Sequence, residues 1–155
     1  MKKMTLVLVI ILTPVMAVFA QNEKKMAFGL GPEWNMNSRE NFAAGVALNI
    51  DYNLPGPFMA GLIFTASNNF DGITVIEPAA LFRWYFSGRG HAGFFVQAEL
   101  GAFIVFEDEY TIPVFQGGLR GGLRMPLGSS FYVEPYGRIG YPFAFGLGVL
   151  AGVRF

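Results

Sequence analysis

The 155-residue chain contains no cysteine and a single histidine. Without cysteine there is no disulfide framework, no thiolate nucleophile and no residue to carry a lipoprotein anchor. Its 11 basic and 11 acidic side chains cancel to a formal net charge of zero, which leaves no electrostatic footprint for a nucleic-acid partner. Also lacking, after the first 20 residues, is any apolar run near the ~20 residues that a membrane-spanning helix needs. Yet 53% of the residues are hydrophobic. Backbone polar groups in lipid must all be paired within the protein, so only helices and closed β-barrels cross a bilayer. With the helix excluded, the barrel is what such a composition can build.

What is present agrees. Twenty glycines, 17 phenylalanines and six tyrosines suit a narrow barrel with aromatic girdles outside and small residues within. At the N-terminus, Met1-Lys2-Lys3 supplies positive charge, Leu6 to Leu12 is an aliphatic run, and Val18 and Ala20 flank Phe19. This is the pattern of a cleavable signal peptide, and Pro14 breaks a segment already too short to remain as an anchor. Residues 1–20 are therefore predicted to be the signal and 21–155 a single outer-membrane β-barrel domain.

Alternating segments are predicted at 25–36, 41–54, 58–68, 73–87, 91–107, 112–127, 131–143 and 145–155, divided by turn-rich breaks such as Pro55-Gly-Pro57, Asn69-Phe-Asp-Gly72 and Gly128-Ser-Ser130. Tyr141-Pro142-Phe143-Ala144 is expected to serve as the last loop. Successive side chains in a strand take opposite faces. With the phase set on sets such as Phe82/Trp84/Phe86 and Val46/Leu48/Ile50/Tyr52, the charges of the strand interiors all fall on the other parity. That inward set is Glu33, Asp51, Glu77, Arg83, Glu99, Arg120, Arg124, Glu134, Arg138 and Arg154. An arginine facing lipid near the midplane costs ~2–4 kcal/mol, so this sorting is what a bilayer imposes. A soluble lipocalin-like barrel or a β-sandwich would show the reverse. The prediction is an all-β, eight-stranded, antiparallel up-and-down transmembrane barrel.

With a periplasmic N-terminus, Asp51, Arg83, Arg124, Glu134 and Arg154 fall in the periplasmic half, and Glu33, Glu77, Glu99, Arg120 and Arg138 nearer the outer half. Such a network is expected to plug a bore that is only wide enough for its own side chains; the alternative is a lining for small solutes, as in a channel. Inward Asn35, Asn49, Asn53, Thr65, Gln97 and Gln116 are expected as further partners, and inward glycines as room for them. Pro78 and Pro135, each following an inward glutamate, predict bulges.

The final run, Phe145-Gly-Leu-Gly-Val-Leu-Ala-Gly-Val-Arg-Phe155, alternates apolar side chains to its last residue. Together with Phe131-Tyr-Val-Glu-Pro-Tyr-Gly-Arg-Ile-Gly-Tyr141, it resembles the closing hairpin of the small outer-membrane barrels of the OmpA transmembrane-domain and OmpX type. The resemblance covers the whole of 21–155 as a pattern. It implies a bacterial outer-membrane location, a surrounding of outer-membrane lipid, and recognition of Val149, Ala151, Val153 and Phe155 by the barrel-assembly machinery. It does not extend to a periplasmic peptidoglycan-binding domain, and the short predicted loops argue against adhesion as the main role.

No enzyme is expected. Some barrels of this size hydrolyse or transfer acyl chains with a serine, a histidine and an acid at the outer rim. Here His91 follows a turn on the periplasmic side, where it is expected to be solvated. Glu107-Asp108-Glu109 reads as a solvated acidic loop, since calcium gathers six to eight oxygens. No metal or cofactor is predicted. Trp34, Tyr52, Trp84, Phe86, Phe106 and Tyr141 are candidate interfacial anchors.

Overall fold

Apolar side chains at every second position give each segment one face for lipid and one for the bore, and extended backbone is the conformation that keeps the two apart. The computed structural model describes residues 25–37, 41–87, 91–107 and 110–155. The signal segment 1–20, and Asp108 and Glu109 of the acidic loop, lie outside them. The strands are β1 (Met26–Asn37), β2 (Asn41–Asn53), β3 (Phe58–Asn68), β4 (Thr74–Tyr85), β5 (Gly93–Glu107), β6 (Tyr110–Leu127), β7 (Phe131–Tyr141) and β8 (Phe143–Arg154). Each pairs with its sequence neighbour, and β8 closes antiparallel on β1. Phe155 extends that seam: its N–H donates to the Met26 carbonyl and its carbonyl accepts from the Met26 N–H, both at 2.9 Å.

Most strand boundaries lie within one or two residues of the sequence expectation, and two of the differences bear on how the sheet pairs. β6 starts at Tyr110 because Tyr110–Gln116 pair with Gly101–Glu107, so the β5–β6 hairpin continues beyond Gly117, the last β6 residue that β7 reaches. The expected loop Tyr141 to Ala144 shrinks to Pro142. The β1–β8 register takes up the difference by shifting between Met36 and Asn37.

The expected bulges are absent. A bulge adds a residue to one strand and shifts the register. Instead the β4–β5 ladder passes from Ile76/Ile104 to Ala79/Gly101, and the β6–β7 ladder from Gly122/Tyr136 to Met125/Val133, each resuming unshifted after two missing rungs. The β1–β8 ladder does the same around Pro32, from Leu30/Ala151 to Glu33/Gly148. Proline has no N–H to donate, and its loss here is local. In all three places the proline points outward beside an inward glutamate: Pro32 with Glu33, Pro78 with Glu77, Pro135 with Glu134.

Outward parity carries large apolar groups left uncovered by the protein, among them Leu62, Phe82, Leu100 and Leu119. Phe58 stacks on Phe82 with ring centroids 5.6 Å apart, and Trp84 meets Phe86 edge-on at 4.8 Å. At the end of the barrel away from the β1–β8 termini, the β3–β4 turn is held by the Asn68 and Asn69 side-chain carbonyls, which accept from the N–H groups of Phe70, Asp71 and Ile73.

Leu62 projects outward near mid-strand, so Leu62→Arg should lower stability in lipid vesicles by ~2–4 kcal/mol. Urea titration of the vesicle-inserted barrel measures this, and an unchanged midpoint would mean that the outward face is not in hydrocarbon.

Candidate functional site: a bore filled by ion pairs

Inward parity brings nine of the ten predicted charged residues into the barrel, each no more than 2% exposed. They divide into two groups. Towards the end of the barrel that holds both chain termini of the sheet, Arg83 grips Glu134 with a two-pronged contact, Nη1 to Oε2 and Nη2 to Oε1, both 2.8 Å. Arg124 joins Glu134 through Nε and reaches Asp51 Oδ2 through Nη2 at 2.6 Å. Arg83 also donates to the Tyr85 hydroxyl at 3.0 Å. Two guanidinium groups thus face two carboxylates.

In the other group Arg120 Nε lies 2.6 Å from Glu99 Oε1, and Arg120 Nη2 lies 3.3 Å from Glu33 Oε2. Arg138 pairs with Glu77 through Nη2 and with Glu33 through Nη1 at 3.3 Å. Gln116 donates to Glu77 at 2.9 Å, and the Tyr136 hydroxyl donates to Glu33. One side chain joins the groups. Gln97 Oε1 accepts from Arg83 Nε at 2.7 Å while its amide nitrogen donates to Glu99 Oε1 at 2.6 Å.

Aromatic faces carry three of these arginines, with the guanidinium carbon 3.9 Å from the Phe95 ring centre for Arg83, 3.9 Å from Tyr136 for Arg120 and 4.1 Å from Tyr132 for Arg124. Weakly hydrated guanidinium stacks well on such faces once water is excluded. Room comes from the glycines opposite: a Cβ at Gly148 would strike the Tyr136 ring, and one at Gly122 would stand 2.6 Å from Phe95. Apolar groups occupy the rest of the bore, including Ile63, Ala79, Leu81, Met59 and Leu150.

Arg154 departs from the expected network. It sits at the end of β8, partly exposed, and makes no ion pair among the described residues, and its Nε is buried without a hydrogen-bond partner among them. Its backbone N–H donates to the Ser130 carbonyl at 2.6 Å. Asn49 and Thr65 are buried but find no hydrogen-bond partner among the described residues, unlike Gln97 and Gln116. Phe95, the platform for Arg83, was not among the expected interior partners; its inward parity opposite Gly122 was the available signal.

His91 is not simply solvated. Its ring meets Tyr85 edge-on at 5.9 Å, and Nε2 lies 3.1 Å from the Phe58 carbonyl, which can only accept, so Nε2 carries the proton. Burial holds the imidazole below its ordinary pKa range. Val149 and Ala151 face outward on β8, with Val153 and Phe155 partly covered at its end.

Removing one partner of a buried ion pair leaves the other uncompensated, at ~3–5 kcal/mol. Arg120→Leu and Glu99→Leu should each destabilise the barrel by about that much, and the double variant by clearly less than the sum. Arg120→Leu with Asp51→Leu, whose side chains share no partner, should add to within ~0.5 kcal/mol. Double-mutant cycles of urea unfolding in vesicles measure both; equal coupling in the two cycles would show that the contacts are not specific.

No protein-family model matches the chain, and no curated protein sequence does. Solved structures do match. The crystal structure of Neisserial surface protein A is similar at a TM-score of 0.65 and 13% identity, over 85% of this chain and 96% of that one. The N-terminal β-barrel domain of Pseudomonas aeruginosa OprF is similar at 0.64 and 14%, over 87% and 100%. A de novo designed transmembrane β-barrel is similar at 0.54 and 8%, over 87% and 98%. At such identities the likeness is one of fold, and the fold of this chain is that of the small eight-stranded outer-membrane β-barrels.

Proposed function

We propose that the protein is an integral barrel of the bacterial outer membrane, exported through a signal peptide, with a structural or surface role and no chemistry of its own. The observation that carries this reading is the bore itself. Four arginines and five acidic side chains, all out of solvent, are matched to one another and packed between aromatic rings and apolar groups. Ions so paired have little to offer a passing solute, although Asp51 Oδ1 and Arg120 Nη1 make no hydrogen bond among the described residues. His91, the only histidine, is engaged with Tyr85 and the Phe58 carbonyl at the opposite end of the barrel from the outer turns.

Outer-membrane lipid would cover the apolar outward face, and the barrel-assembly machinery would read Val149, Ala151, Val153 and Phe155 during insertion. The outward alternation of β8 and its place in the closing seam support that role. A small-solute channel is the second reading, favoured by the buried and unpartnered polar groups of Asn49 and Thr65, which suit a hydrated path.

Planar-bilayer recording separates the two. A plugged barrel gives no steady unitary current, whereas a reproducible conductance step from purified protein would establish the channel. Deleting Phe155 should reduce the heat-modifiable barrel recovered from outer membranes more than deleting the turn residue Gly128; equal yields would remove Phe155 from the assembly signal.

A further inference from the structure

Outside the bore, the wall formed by β6 and β7 has a hollow. Gly121 and Gly137 are direct cross-strand partners on outward parity, so two adjacent positions of the wall carry no side chain. They lie near the middle of the stretch over which the strands pair, Gly117 to Leu127. The two missing β6–β7 rungs follow immediately, and the outward Pro135 sits at them. The hollow has a volume of about 650 Å³, with Phe86, Phe94, Leu123 and Pro135 as its sides and the two glycines in its floor. That volume falls within the ~300–1,000 Å³ typical of small-ligand sites.

We propose that this hollow seats one hydrocarbon chain of a membrane phospholipid. The inference rests on the reading of the barrel as membrane-spanning. None of the side chains named as its walls is charged or polar, and the hollow is continuous with the apolar outward belt, where Leu119 and Ile139 lie next along the same strands. The hollow runs from Gly121 and Gly137, on the outward face of the paired strands, towards Phe86 just past the end of β4, so the medium that reaches its floor is hydrocarbon. Against the rest of the wall, projecting side chains hold a lipid chain off the backbone. Over Gly121 and Gly137 a chain can lie on the backbone with atoms on three sides, so it gains contacts that a convex surface cannot offer. A chain held in this way exchanges with bulk lipid more slowly than its neighbours.

The test fills the hollow without breaking the barrel. A Cβ at Gly121 would meet nothing nearer than the Phe95 carbonyl oxygen at 3.9 Å, and one at Gly137 nothing nearer than Leu147 Cδ2 at 3.5 Å. Gly121→Leu/Gly137→Leu is therefore compatible with the fold and remains apolar. Ala60→Leu, outward on β3, adds the same group elsewhere. All three proteins are refolded into phosphatidylcholine vesicles with brominated chains, and tryptophan quenching is recorded first. Quenching of Trp34 and Trp84 is expected in each; its absence in the parent would overturn the membrane-spanning reading, and the proposal with it. Each protein is then released from mild detergent in native mass spectrometry. The parent and Ala60→Leu should carry one phospholipid per barrel, with the bound fraction of the double variant lower by about tenfold or more. Equal retention in quenched, inserted protein overturns the proposal while leaving the membrane reading intact. A dimer mass in the parent that the double variant loses also overturns it, and assigns the hollow to a second copy of the chain.

Discussion

Four guanidinium groups have been taken wholly out of water inside a closed barrel, and much of the interior is arranged to make that tolerable. An unpaired buried ion costs several kcal/mol even after relaxation, so each arginine must find carboxylates at the right depth. Glu134 serves Arg83 and Arg124 together, and Glu33 serves Arg120 and Arg138. The aromatic platforms complete the shells, and the glycines paired with them on the adjacent strands leave the space in which rings and guanidinium groups overlap. Remove one partner, and the other is left buried and uncompensated.

The same demand is met by the wall. Pro32, Pro78 and Pro135 each stand beside two missing rungs without moving the register, so the inward glutamate next to each keeps its depth. A bulge at any of these places would have turned the following side chains to the opposite face, sending charges into lipid. The likeness to a designed transmembrane barrel at 8% identity makes a related point. Alternation, closure and turns are sufficient for this architecture, and very different sequences supply them.

Bore and outer wall therefore follow opposite rules. Inside, polar groups are matched individually, and Gln97 ties the two ion-pair groups into one network. Outside, the surface is apolar, and among the described residues it includes the glycine-floored hollow beside β6 and β7. The polarity of the first closes the barrel to solutes in the reading proposed above, while the relief of the second offers lipid a place to settle.

Strand positions, their faces and the membership of the inner set were legible in the sequence, because a side-chain period of two fixes which residues share a face and lipid forbids charge on one of them. Glu99 and Arg120 were expected in the same half of the bore and meet at 2.6 Å, although the register sets Arg120 opposite Gln97 and Glu99 opposite Gly118, so the contact runs diagonally between the two strands. Other pairings were not legible. Arg83 on β4 and Glu134 on β7 meet across the bore, 51 residues apart, and no local pattern specifies which inward groups meet when the sheet closes. Arg154 shared the inward parity yet sits at the end of β8 without an ion pair among the described residues, and prolines that suggested bulges left only gaps, since backbone pairing on either side held the register. The period of the chain thus determined what faces inward, by excluding charge from lipid; strand register decided the neighbours within each hairpin, such as Gly121 with Gly137, and closure decided which ions meet across the bore, because contacts such as Arg83–Glu134 exist only once the sheet has curled on itself.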